Sequence, residues 1–292
     1  VRMHLRRHFA PGALQRLFNR PGPAGGLVPP GGAGAGGGDA ATAELRAAAS
    51  HLPPPLNQLF GTVAASGGAV LSGGARDYLT KVWRSTVLPH CQQAAGNRFP
   101  FVATSADDTP IDDFTELFGP EGEIAKFFNT YLKPFADTAV TPWRWQTADG
   151  LDLGLDAKVL SQFERAADLG AAFFADGAKR PSAAFEITPQ RVDPRSTSRR
   201  LAVDGQVLQY QHGPLTPVAM QWPSPQGPAG ATLAFEPSAA GAPNLLTFPG
   251  PWGLLRLVAA AQVTALAPDR FLLDFTLGDR KATLILKAAG LH

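Results

Sequence analysis

The chain has 292 residues, 45% of them hydrophobic, which is enough for a sizeable core and, by length, for about two domains. Its 26 Lys and Arg exceed its 24 Asp and Glu by only two, so it lacks the strong basic field that draws proteins onto nucleic acid or anionic membranes. One cysteine, Cys91, leaves no internal disulfide and no cluster for zinc, iron–sulfur or redox chemistry.

No apolar run reaches the roughly 18 residues of a membrane-spanning helix, and the start, Val1-Arg2-Met3-His4, lacks the apolar stretch of a signal peptide. The chain reads as an excised piece of something longer. Residues 1–19 read as a short amphipathic helix, with Leu5, Phe9, Leu14, Leu17 and Phe18 among arginines and a break at Pro11-Gly12. Pro21 to Gly38 is nearly all Gly, Pro and Ala, a flexible loop; no Gly-Lys-Ser/Thr follows it, which argues against a phosphate cradle. Ala40 to Leu52 predicts a helix ended by Pro53-Pro54-Pro55. Ala69 to Cys91 predicts another, with Leu71, Tyr78, Leu79, Val82 and Trp83 on one side.

Thr109, Pro110, Asp112 and Asp113 form a helix start with cap, first-turn proline and acids, closed at Gly119-Pro120. Ile124, Phe127, Phe128, Tyr131, Leu132 and Phe135 recur at i, i+3, i+4, i+7, i+8 and i+11, a series only a helix gathers onto one face. After a turn region at Pro142-Trp143-Arg144-Trp145, Asp156 caps a long helix burying Val159, Leu160, Phe163, Ala167, Phe173 and Phe174 and closed by Gly177.

Beyond Pro181 the period becomes two. Asp204-Gly205 predicts a two-residue turn with Leu201 facing Leu208; Gly278-Asp279 predicts a second, pairing Phe275 with Ala282, Leu273 with Leu284 and Phe271 with Leu286. Val218, Met220 and Trp222 alternate, as do Leu233 and Phe235, and a short helix starts at Pro251-Trp252 and runs through Leu255 and Val258. The expected architecture is α+β: a helical domain over 1–180, including the flexible loop 20–38, then an antiparallel β-sandwich of six or seven strands with a short helix over 181–292.

The chemistry-bearing motifs are missing: neither Gly-x-Ser-x-Gly nor His-Glu-x-x-His occurs. His4 and His8 have metal-ligand spacing but no nearby carboxylate. The acids Asp107, Asp108, Asp112, Asp113 and Glu116 lack a calcium-loop pattern, and helix N-terminal electrostatics accounts for Asp112 and Asp113 without catalysis. No catalytic, cofactor or metal residues are assigned. His212 is read as structural, and so are Phe101, Trp143, Tyr210, Trp222, Trp252 and Arg256. Arg256, one turn after Trp252, is placed to stack on its indole or to satisfy buried carbonyls.

A set of ordered motifs then points to a family. Arg98-Phe99-Pro100-Phe101, Asp112-Asp113-Phe114, Phe118-Gly119-Pro120-Glu121-Gly122, the run Phe127 to Phe135 and Trp143-Arg144-Trp145 come first. Phe163-Glu164-Arg165-Ala166, Val203-Asp204-Gly205-Gln206, Tyr210-Gln211-His212-Gly213-Pro214, Gln221-Trp222-Pro223 and Gly250-Pro251-Trp252-Gly253 to Leu257 follow in order. Over about residues 80 to 290 the chain resembles the carboxyl-terminal region of the family called TssM, IcmF or VasK. The resemblance implies a periplasmic portion of an inner-membrane protein of a type VI secretion system, with the membrane anchor outside this stretch. It further implies no ATPase activity here, and as partners the outer-membrane lipoprotein TssJ, the inner-membrane protein TssL and other TssM copies. The function expected is that of a non-enzymatic scaffold, without small-molecule substrate. Its partner contacts are expected on the sandwich turns, at Asp204, Gly205, Gln206, Gly278, Asp279 and Arg280. Two other readings compete: a peptidoglycan-binding module, which needs Trp222 or Trp252 exposed, and a degenerate hydrolase built on His212.

Overall fold

The computed structural model describes residues 43, 46–65, 71–148, 151, 153–192, 196–237, 244–278 and 280–288. The arginine-rich stretch 1–19, the glycine-rich loop, His4, His8, Asp279 and the side chain of Leu71 lie outside the described residues. Helices occupy the first part of the chain and antiparallel sheets the second. By packing, the chain separates into two units. Asn97–Thr115 joins the described residues from Leu169 onward in one, while the described residues before Asn97 join Glu116–Asp168 in the other.

In the helical unit the interior stripe is Ala75, Leu79, Trp83, Val87 and Cys91, all essentially inaccessible. These residues recur every fourth position, and in an ordinary helix of 3.6 residues per turn each such step drifts by about 40°. The expected single helix is accordingly interrupted: α1 (Leu71–Val82) passes through a wider π-turn at Trp83–Val87 into α2 (Leu88–Ala95). The π-turn accommodates one extra residue and returns the stripe to the core. Its closing bond runs from Leu88 N to Trp83 O, and Pro89 follows at once. Proline has no amide to bond four residues back and crowds that carbonyl, so the widened turn sits where a regular helix would be broken.

The same device recurs at the aromatic series. α3 (Glu123–Phe127) leads into a π-turn at Phe128–Leu132, closed by Lys133 N on Phe128 O, and Pro134 follows within a short 3₁₀ turn. Ile124, Phe127, Phe128, Leu132 and Phe135 are buried, as the periodicity predicts. Trp83 packs edge-on against Phe127 and Phe163 at 5.2 and 5.8 Å. Two elements here go beyond the sequence expectation. Leu56–Ala65 is helical, and the turn region contains a two-residue strand pair, β1 (Ala136–Asp137) with β2 (Arg144–Trp145).

The long helix α4 (Ala157–Phe173) starts as read: Asp156 Oδ1 accepts from Lys158 N at 2.8 Å, an N-cap that satisfies one of the first-turn donors. Of the residues expected on its buried face, Ala167 is exposed; Ala166, three residues after Phe163, takes that place. Gly177 terminates the segment at φ +73, a left-handed conformation that costs glycine nothing.

Nine strands follow among the described residues, against six or seven expected: β3 (Ala183–Val192), β4 (Ser198–Val203), β5 (Gln206–Tyr210), β6 (Val218–Trp222), β7 (Gly230–Glu236), β8 (Leu245–Pro249), β9 (Gln262–Ala267), β10 (Arg270–Leu277) and β11 (Arg280–Ala288). They form a five-stranded sheet, β6-β3-β11-β10-β9, and a four-stranded one, β5-β4-β7-β8, all pairs antiparallel. Both hairpins have the predicted register, with Leu201 opposite Leu208, and Phe275, Leu273 and Phe271 opposite Ala282, Leu284 and Leu286. Alternate residues of each strand turn inward, among them Leu201, Val203, Leu208, Leu233, Phe235, Met220, Leu273, Phe275 and Leu284, leaving 4% or less of each exposed. The short helix α5 (Gly253–Ala260) links β8 to β9. β8 and β9 escaped the sequence reading because their outward positions carry Leu245 and Leu266, both 51% exposed, which blurs the alternation.

Candidate partner-binding surfaces

At one end of the sandwich the β4–β5 turn takes positive φ at both Asp204 (48°) and Gly205 (83°), as a tight hairpin requires. The Asp204 carboxylate does not face solvent. It accepts from Ser224 N at 3.2 Å and Gly230 N at 2.8 Å, while its own amide donates to Gly230 O. Burial raises its pKa above the ordinary aspartate value, against the opposing pull of those two amides. Gly205 lies so close to Gly227 that a Cβ there would stand 2.6 Å from its Cα. Gln206 spans the gap between the sheets: its amide nitrogen donates to Val203 O and Gln221 O, and its oxygen accepts from Gln221 N. Asp204 therefore holds the loop from within, and only Gly205 of the expected trio is exposed.

Behind this end lies an aromatic plug. Trp222 and Trp252 sit 4.9 Å apart, centroid to centroid, at 2% and 0% exposure. The Trp222 indole donates to Pro251 O and the Trp252 indole to Thr109 O, each at 2.6 Å. Phe114 and Phe173 pack edge-on around Trp252, and half-buried Phe101 stacks on Phe114. The exposed aromatic row that sugar stacking needs is not what these two tryptophans form. Arg256 pairs with Asp108, donates to Ser105 O and Ala106 O, and lies 4.1 Å over the Phe99 ring. Its aromatic partner is thus Phe99 rather than Trp252, and the two carbonyls it binds lie on a half-buried and an exposed residue.

At the opposite end, Gly278 is exposed at φ 57, while Arg280 is buried and donates to Pro237 O and Ser196 Oγ. Nearby Arg199 is 0% exposed, beside the Tyr210 ring and donating to Thr283 O. Burial pulls its pKa down to about 10, with Tyr210 opposing. The alternation already held this signal, since Arg199 shares the inward phase of Leu201 and Val203. His212 donates from Nε2 to Ser196 O at 2.6 Å, which gives it the structural hydrogen bond expected.

The registers place the two turns far apart. Val203 pairs with Ala231, and Gly230 with Pro249, at the Asp204 end; Leu277 pairs with Arg280, and Ala282 with Val192, at the other. Asp204-Gly205-Gln206 and Gly278-Arg280 therefore do not form one surface. In the acidic cluster, Asp108 pairs with Arg256, Asp112 with Arg180, Asp113 with Arg98 and Glu116 with His90. Trp143, half-buried, packs on Phe128 and donates from its backbone amide to Glu164 Oε1 at 3.2 Å. Among the described residues no three His, Cys, Asp or Glu converge as metal ligands, and no helix is long and apolar enough to cross a membrane.

Compared with known proteins, residues 74–179 match the family profile described as the type VI secretion protein IcmF helical domain. Residues 185–290 match the one described as the type VI secretion protein IcmF C2-like domain. The chain is 34% identical over 251 residues to the type VI secretion system component TssM1 of Pseudomonas aeruginosa, covering 86% of this chain but only 23% of that relative. It is similar in fold to the TssM carboxyl-terminal domain from EAEC, with TM-score 0.64, 22% identity, and 73% of this chain and 89% of that one covered. A chain of a type VI secretion system membrane core complex gives TM-score 0.67 at 19% identity, over 95% of this chain and 56% of that one.

Proposed function

Because the chain belongs to the IcmF family of type VI secretion proteins and carries its helical and C2-like domains in order, we propose that it is a periplasmic scaffold segment of the secretion membrane complex, not an enzyme. In this reading it links an inner-membrane anchor elsewhere in the protein to the outer-membrane lipoprotein TssJ by protein–protein binding. TssL and further copies of the same protein are its neighbours in the assembly.

One observation carries the reading: polar side chains at the two sandwich turns and on α5 are committed to internal bonds. Asp204, Gln206, Arg256 and Arg280 each fasten one loop to another segment of the same unit. Such bonding holds loop backbones in place before a partner arrives, which lowers the ordering cost of docking. The peptidoglycan reading needs exposed Trp222 or Trp252, and the burial of both speaks against it.

The test is calorimetric titration of the chain with the soluble form of TssJ from the same genome at moderate salt. Saturable binding supports the scaffold reading, whereas no heat and no co-elution overturns TssJ as the partner of this segment.

A further inference from the structure

Segment 97–109 folds back on itself. Phe99 N donates to Asp107 O, Thr109 N to Phe99 O, Val102 N to Arg98 O, and Ser105 Oγ to Asn97 O. Only Phe99, Pro100 and Thr109 of the segment are buried. It is tied to the sheet-bearing part of its unit at the start of α5. Trp252 donates its indole N–H to Thr109 O at 2.6 Å, and Arg256, one turn on, donates to Asp108, Ser105 O and Ala106 O and lies over the Phe99 ring.

A segment opens locally at a free energy set by the apolar contacts and hydrogen bonds it gives up, and lids and movable loops come from the low end of that scale. Strands β4 and β7 would have to give up ladder bonds on both sides and the inward side chains Leu201, Val203, Leu233 and Phe235. Segment 97–109 leans instead on the Phe99 ring, one indole bond and one arginine, with Arg98 resting on Asp113 at 3.4 Å. Asp108 and Arg256 keep 17% and 16% of their side chains exposed. Water therefore reaches both groups as they part, at a smaller penalty than separating a fully buried pair.

Lifting tells the two indoles apart. The Trp252 indole loses its acceptor, because Thr109 O leaves with the segment, whereas the neighbouring Trp222 indole keeps Pro251 O at 2.6 Å. We propose that segment 97–109 is a strap and Arg256 its latch. The strap lifts off α5 far more often than the sheets unfold, and each lifting presents the N–H edge of Trp252 and the Arg256 guanidinium to solvent while Phe114 and the sheets stay in place. Closed, it covers an aromatic edge and a cation that the sheets and α5 alone would present. The proposal is independent of the scaffold reading.

Hydrogen exchange of the intact chain in low concentrations of urea, followed by NMR, tests it through the two indole N–H groups. The Trp252 indole is expected to exchange together with the Phe99 and Thr109 amides, with at least about tenfold lower protection than the Trp222 indole and the amides of β4 and β7, and with little dependence on urea. Arg256→Gln is expected to lower the protection of the Trp252 set by at least about a further tenfold and to leave the Trp222 indole unchanged. Exchange of the Trp252 indole in step with Trp222 and β4 overturns the proposal, since the segment then leaves only on global unfolding. So does a Trp252 indole that stays protected while the Phe99 and Thr109 amides exchange, which makes the segment fray in place. An Arg256→Gln variant that speeds both indoles alike overturns Arg256 as the latch.

Discussion

Trp252 shows how one side chain gathers contacts that lie far apart in the chain. Its ring is inaccessible among Phe114, Phe173 and Trp222, and its indole N–H is satisfied by Thr109 O, 143 positions away. Trp252→Ala is expected to lower unfolding free energy by roughly 3–5 kcal/mol, the range for emptying a buried aromatic site; chemical denaturation measures it, and unchanged stability would contradict the packing described. Asp204 yields a pH prediction. Its pKa is raised in the folded state, chiefly by burial, so the native state holds the proton more tightly than the unfolded chain does. The Asp204 contribution is then fully present below the ordinary aspartate pKa of about 3.9 and declines as pH rises through the folded value. Asp204→Asn should flatten that segment of the stability profile; an identical slope in both proteins would show that another group sets it.

Among the elements, segment 97–109 depends most visibly on a distant residue. Phe99 N bonds Asp107 O and Thr109 N bonds Phe99 O, closing the loop on itself. Arg256 on α5 then fastens it through Asp108, two carbonyls and the Phe99 ring. Arg256→Ala is expected to accelerate amide exchange at Phe99 and Thr109 by at least about tenfold while leaving β4 and β7 amides unchanged; uniform acceleration would instead indicate global destabilisation. The helices teach a different lesson. Periodicity located the buried faces at Trp83 and Phe127, but not the π-turns at Trp83–Val87 and Phe128–Leu132. Their local signature was present in the proline placed two residues beyond each turn, Pro89 and Pro134. A fourfold spacing of buried residues, from Ala75 to Cys91, was the other available sign.

For the molecule as a whole, the consequence concerns where it divides. The two family profiles fall on either side of Pro181, yet the unit built on the sheets also takes Asn97–Thr115 and the end of α4. A fragment starting at Pro181 would lack Phe114, Phe173 and the Thr109 carbonyl, and so would expose the Trp222–Trp252 pair. It is expected to bind a hydrophobic dye such as ANS and to melt at lower temperature than the full chain. A fragment as stable as the whole, with no dye binding, would show that the sandwich is complete without segment 97–115.

Features that depend on neighbours in the chain are legible in the sequence alone. These are the switch from helical to twofold period at Pro181, the Asp156 cap, and both hairpin registers, because a two-residue turn and an inward–outward alternation leave one pairing that keeps apolar groups on the same face. The families of motifs along the chain followed from the same local order. Which way the polar residues of those turns point depends instead on contacts between distant segments. Asp204 and Arg280 look like surface residues in sequence, and become internal fasteners because the amides of Gly230 and Ser224 and the carbonyl of Pro237 are brought beside them by other segments. A buried donor or acceptor must find a partner, and which one it finds depends on groups tens of residues away that no local pattern records.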